Sequence, residues 1–147
     1  MVQSEPSGSF SRWQAVTIGQ LAYAVNLILG FAVAALGFQV TLLLDDKFVP
    51  SSWKKCAFSI SLLLLAASVI FGIAVVINRL QDFRATMNAA RARENGSADA
   101  VVEEYRALYR RLGPRTWWLF WWQLGTFGTG VLLTVISVVT SAGQKLL

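Results

Sequence analysis

Three stretches of this chain, residues 15–44, 56–78 and 117–140, contain no Asp, Glu, Lys or Arg. A helix rises about 1.5 Å per residue and bilayer hydrocarbon is about 30 Å thick, so about 20 apolar residues suffice to cross it. Each stretch is longer than that, and charged segments separate the three. A soluble core does not need such separation. A soluble domain also carries about 25% charged residues, whereas here 14% are charged and 55% are apolar. Within hydrocarbon the backbone must satisfy its own hydrogen bonds, which favours helices. The pattern predicts an all-α, polytopic membrane protein with three transmembrane helices and a cytoplasmic helical hairpin between the second and third.

The expected divisions are a disordered tail over residues 1–14, a first transmembrane helix over 15–44 and a short outer loop over 45–55. A second transmembrane helix over 56–78 and the hairpin over 79–113 follow. A third transmembrane helix within 114–140 and an outer tail over 141–147 complete the chain. The tail is rich in small polar residues and lacks the basic start and small-residue cleavage site of a secretory signal. Pro50 disfavours a continuous helix through the first loop, because proline withdraws a backbone donor. So short a link implies that the first two spans pack antiparallel.

Each span carries a stripe of small or weakly polar residues at three- and four-residue spacing. The first has Gly19, Ala22, Asn26, Gly30, Ala34 and Gly37; the second Ala57, Ser61, Ser68 and Gly72; the third Thr126, Gly130, Thr134, Ser137 and Ser141. Helices in lipid gain little from burying grease and associate through close backbone approach, which small residues permit. Gly19, Asn26, Gly30, Gly37, Ser68, Gly72, Thr126, Gly130 and Thr134 are therefore the expected helix-packing residues. Asn26 is read as interhelical glue, since its amide requires a partner. Gly30→Leu should weaken packing or assembly, with Leu29→Ala, on another face, as the milder control.

The membrane-interface residues are Trp13, Arg79, Arg110, Arg111, Arg115, Trp117, Trp118, Trp121 and Trp122, an aromatic belt beside a basic collar. Cation–π contacts between the tryptophans and Arg110, Arg111 or Arg115 are expected. Arg79 to Arg84 is read as a helix end whose arginines reach the headgroups, with a lipid or partner site as the alternative.

In the hairpin, Leu80, Phe83, Met87 and Ala90 form one apolar seam and Val101, Tyr105, Leu108 and Leu112 another. Asn95-Gly96-Ser97 separates two helices, Ser97 caps the second, and Gly113-Pro114 ends it. Folded about Asn95-Gly96, Met87 meets Tyr105, Phe83 meets Leu108 or Tyr109, Leu80 meets Leu112, and Asp82 approaches Arg110. The tail and hairpin share a side that holds nine basic residues: Arg12, Arg79, Arg84, Arg91, Arg93, Arg106, Arg110, Arg111 and Arg115. The other side holds four: Lys47, Lys54, Lys55 and Lys145. Basic residues collect on the cytoplasmic side, which places the amino terminus inside and the carboxyl terminus outside a cell inner (plasma) membrane.

Chemistry is hard to find. There is no histidine, which removes the commonest general base and metal ligand. The single cysteine, Cys56, reads as a small apolar residue. Gly125-Thr126-Phe127-Gly128-Thr129-Gly130 is glycine-rich, but it lies within an apolar span, where packing explains it better than phosphate binding. No catalytic, metal or cofactor residue is expected, and no cofactor. The net charge of +5 is assigned to lipid and topology rather than to nucleic acid. The expected partners are the lipid bilayer and a second copy or a membrane-protein partner. The expected function is non-enzymatic, carried by helix packing and assembly. The alternative is an oligomeric channel or permeability effector lined by Asn26, Thr126, Thr134 and Ser137.

Overall fold

The computed structural model describes the backbone of residues 7–44, 52–96 and 99–146; side chains are described for 16–44, 53, 55–96, 100–108 and 110–140. Every described residue is helical except Asn95 and Gly96. The helices are α1 (Ser7–Leu44), α2 (Ser52–Glu94) and α3 (Asp99–Leu146). All three are long and apolar enough to cross a membrane.

The helices run up, down and up. Ile18 of α1 lies beside Arg79 of α2, Leu29 beside Gly72, and Gln39 beside Ser61. On α3, Thr116 stands opposite Asn78 of α2, Gln123 opposite Ser68, and Gly130 opposite Leu65. The α2–α3 contact is much the most extensive of the three, and α1 touches α3 least.

The elements are longer than expected. Residues 7–14, read as tail, belong to α1, and the hairpin helices are not separate elements. Residues 79–94 continue α2, and residues 99–113 continue α3 through Pro114, which ends nothing. Proline withdraws only the hydrogen bond that would reach the carbonyl of Arg110, and that residue is exposed. Two residues later Thr116 turns inward to bond Asn78. Helix α2 does end where expected. Gly96 adopts a left-handed φ of 64° and donates from its N–H to the carbonyl of Arg93 at 3.1 Å. This is one of the two bonds of a glycine-terminated helix end, and a Cβ would be strained there. The Ser97 cap, the Pro50 loop and the outermost tails lie outside the described residues.

Near the turn, Asn78 of α2 meets Leu112 and Thr116 of α3, and the buried faces differ from the expected seams. Leu80, Phe83, Met87, Ala90, Val101 and Leu108 are exposed, and of the expected seams only Leu112 is fully buried. The buried line of α2 is Asn78, Ala85, Ala89 and Ala92, with Val102, Leu112 and Thr116 buried on α3. The reason is proximity. A Cβ on Gly130 would lie 2.9 Å from Leu65 Cγ and 3.3 Å from its backbone nitrogen. Small residues such as alanine on the buried line let two helices approach closely. Asp82 makes no ion pair with Arg110, which lies 3.7 Å from Glu103 on its own helix.

The chain exposes 10547 Å², whereas a compact soluble protein of its mass would expose about 7,500 Å². Much of the excess is apolar. Phe31, Leu44, Leu63, Ile70, Trp121 and Val139 are each more than half exposed. A surface of this kind marks a partner or lipid in contact with it.

Candidate functional site

Two regions carry polar groups into the apolar helices. The first is the seam where the three helices meet, and it repeats every seven residues. On α3 it runs Thr116, Gln123, Gly130 and Ser137; on α2, Ser61, Ser68 and Val75; on α1, Val25, Ala32 and Gln39. A seven-residue repeat keeps a helix's contact face towards a neighbour along its whole length. Small and polar residues occupy the positions that leucines fill in water.

Three polar layers cross this seam. In one, Gln39 Nε2 donates to Ser61 Oγ at 2.6 Å and to Thr134 Oγ1, so one amide joins all three helices. In the next, Gln123 Nε2 donates to the carbonyl of Val25 at 3.4 Å, and Ser68 Oγ donates to the carbonyl of Gln123 at 3.1 Å. Gly72 makes room here, since its Cβ would lie 2.7 Å from Gln123 Nε2 and 3.1 Å from Leu29 Cδ1. In the third, Asn78 Nδ2 donates to Thr116 Oγ1 at 2.7 Å and to the carbonyl of Leu112 at 2.9 Å. The carbonyl oxygens Gln39 Oε1 and Gln123 Oε1 are buried and accept no hydrogen bond. A small apolar cluster of Val25, Val75 and Leu119 packs between the layers.

Of the expected packing residues, Ser68, Gly72, Gly130 and Thr134 therefore stand in the seam. Thr126 bonds its own helix, donating to the carbonyl of Trp122 at 2.7 Å. Gly19, Asn26, Gly30 and Gly37 are all exposed, and a Cβ at any of these three glycines would meet nothing within 4 Å. Asn26, read as interhelical glue, is exposed and borders a groove beside α2. The two neighbours chosen for comparison are reversed, because Leu29 reaches Gly72 while Gly30 faces away. Gln39, Gln123 and Asn78 supply glue within the chain. Sequence reasoning passed over them, although the seven-residue spacing of Thr116, Gln123, Gly130 and Ser137 marks their face.

Comparison with protein families, curated proteins and solved structures finds no match.

The second region lies around Arg79. Its Nη2 donates to the carbonyl of Ile18 at 3.0 Å, and its guanidinium lies 5.7 Å from the centre of the Phe83 ring. That is the cation–π contact among the described residues; Arg110, Arg111 and Arg115 are exposed and lie over no tryptophan. Burial pushes the neighbouring Asp82 carboxyl above its ordinary range, and the Arg79 charge opposes the shift. Trp117, Trp118, Trp121 and Trp122 are all exposed, with Trp118 against Trp122 edge to face at 5.8 Å. Trp122 also stacks on Phe71 of α2 at 6.1 Å. The side chain of Trp13 is outside the described residues. Cys56 is a free, exposed thiol, and no group of acidic, histidine or cysteine residues able to hold a metal occurs among the described residues.

Proposed function

We propose that the chain crosses the cell inner membrane three times and acts, without catalysis, by assembling with a second copy or a membrane-protein partner through the outer face of α1. The amino terminus and the α2–α3 turn lie in the cytoplasm, and the carboxyl terminus lies outside. The excess of arginine at the turn end supports this orientation.

One observation carries the assembly reading. Asn26, Gly30 and Gly37 are exposed along α1, Gly19 and Asn26 border the groove beside α2, and no hydrogen bond of the Asn26 amide is found among the described residues. An amide in hydrocarbon without a partner is costly, and glycines beside it allow another backbone to approach. The channel alternative draws less support. Thr134 and Ser137, two of its four lining residues, are buried in the chain's own seam.

Cross-linking tests both parts. With Cys56 replaced by Ser, Gly30→Cys should form disulfide-linked pairs in native membranes, and Thr134→Cys should not. In the same background Ser97→Cys should resist an impermeant thiol reagent in intact cells, whereas Ser141→Cys should react. Pairing through Thr134→Cys alone would reject the α1 face, and the opposite labelling pattern would reject the orientation.

A further inference from the structure

Beside the Arg79 site, an open groove of about 380 Å³ lies between α1 and α2. Its walls include Gly19 and Ala22 on α1 and Val76, Leu80 and Phe83 on α2. The lining is almost wholly apolar, and glycine and alanine are what keep it unfilled. The residues facing it span eight positions on each helix, about 12 Å of rise. That is close to the depth of one leaflet's hydrocarbon, about 15 Å.

One cation stands in this groove. Arg79 is half-buried, and its side chain runs towards Phe83, the end nearer the α2–α3 turn. One of its donors reaches the Ile18 carbonyl. A guanidinium has five N–H groups, so others remain for a ligand. Its nearest acid, Asp82, does not approach within ion-pairing distance; both ion pairs among the described residues are made by Glu103. The remaining donors of a half-buried guanidinium that makes no ion pair among the described residues suit a phosphate, which guanidinium can bind bidentately.

We infer that this groove holds one anionic phospholipid, its phosphate on the Arg79 guanidinium and an acyl chain lying over Gly19 and Ala22. The inference rests on the proposal that these helices cross a membrane, which supplies both the apolar chain and the headgroup in this geometry. Arg79 at the rim and the small residues below it then act as one site. The charge selects the headgroup, and the absent side chains admit the tail.

The test is lipid retention by native mass spectrometry after delipidation and re-addition of phosphatidylglycerol or phosphatidylcholine with identical acyl chains. The wild-type chain should retain one phosphatidylglycerol, preferred about tenfold over phosphatidylcholine, whose phosphate is the same but whose choline cation is repelled by the guanidinium. Arg79→Gln should bring the two lipids near parity. Gly19→Leu, whose side chain enters open space, should abolish retention of either. Gly128→Leu, on α3 and equally unobstructed, should change nothing. Inorganic phosphate alone should not displace the lipid.

Equal retention of the two lipids by wild type, or unchanged retention in Gly19→Leu, would overturn the inference. So would a Gly19→Leu variant whose oligomeric mass changes while its lipid does not, because the groove would then belong to a second copy. Alkaline extraction of native membranes separates the two levels of the argument. A chain released from the membrane sinks the membrane reading itself. A chain that stays but shows no selective lipid sinks only the groove.

Discussion

The three-helix seam and the outer face of α1 use the same residue types to opposite effect. Both carry glycine and a side-chain amide. In the seam, Gly130 lies against Leu65 and Gln123 bonds across to Val25. On α1, Gly30 faces open space and Asn26 is exposed. A glycine or amide within an apolar helix therefore does not reveal which neighbour it serves. The amide donors of the seam find acceptors within one chain, and the α1 face is left to whatever lies outside it.

The sharpest way to break this comparison is to place the same bulk on each side. Gly130→Leu forces a side chain into Leu65 and its backbone. It should cost about 3 kcal/mol, the upper range for overpacking a tight interface. Thermal unfolding in mild detergent would register this as a large loss. Gly30→Leu should leave the unfolding of the isolated chain within about 0.5 kcal/mol of wild type, as for a surface change. Similar losses from both would erase the distinction.

A smaller effect is expected at Leu29, the one α1 side chain that reaches Gly72. Leu29→Ala should destabilise by about 1 kcal/mol, below the usual core range because the residue is only partly buried and lipid competes for it. The Gln39 layer should be weaker still. A double-mutant cycle with Gln39→Leu and Thr134→Val should return a coupling of about 0.6 kcal/mol, the typical value for hydrogen bonds between membrane helices. A coupling of zero would mean that the amide does not join α1 to α3.

The smallest effect belongs to Asp82. Its carboxyl is held above the ordinary range by burial, with Arg79 pulling the other way. The folded chain thus holds this proton more tightly than the unfolded one. The linked stability is fully present below the unfolded carboxylate range and is lost as pH rises through the folded value. Unfolding scans between about pH 4 and pH 7 should show a slight decline in wild type, and Asp82→Asn should flatten it. A rise with pH that Asp82→Asn removes would give the shift the opposite sign.

The sequence was legible wherever charge marked a boundary. The three apolar helices and the α2 ending at Gly96 follow from where charged and turn residues fall. The packing faces were not legible by the same means. In water, the large apolar residues at 80, 83 and 87 would mark the buried side, yet α2 buries Ala85, Ala89 and Ala92 instead. Where two helices approach closely, small residues take the contact and the large apolar ones are left outside it, so hydrophobic periodicity does not mark the buried face. What remains is spacing, and the polar positions 116, 123 and 137 at multiples of seven carried the information. The continuation of α3 through Pro114 was equally hidden, because a local breaker is overridden when both flanking segments are held against α2.

The central claim is that α1 presents an assembly face that the chain itself does not use. Its most direct test is the mass of the protein in nanodiscs of native lipid, measured for wild type and for Gly30→Leu. The account predicts an oligomer, or a stable complex with a membrane partner, for wild type. It predicts a folded single chain with normal membrane integration for Gly30→Leu. A wild-type protein that is strictly a single chain without partners, or a Gly30→Leu variant that assembles as wild type does, would contradict it.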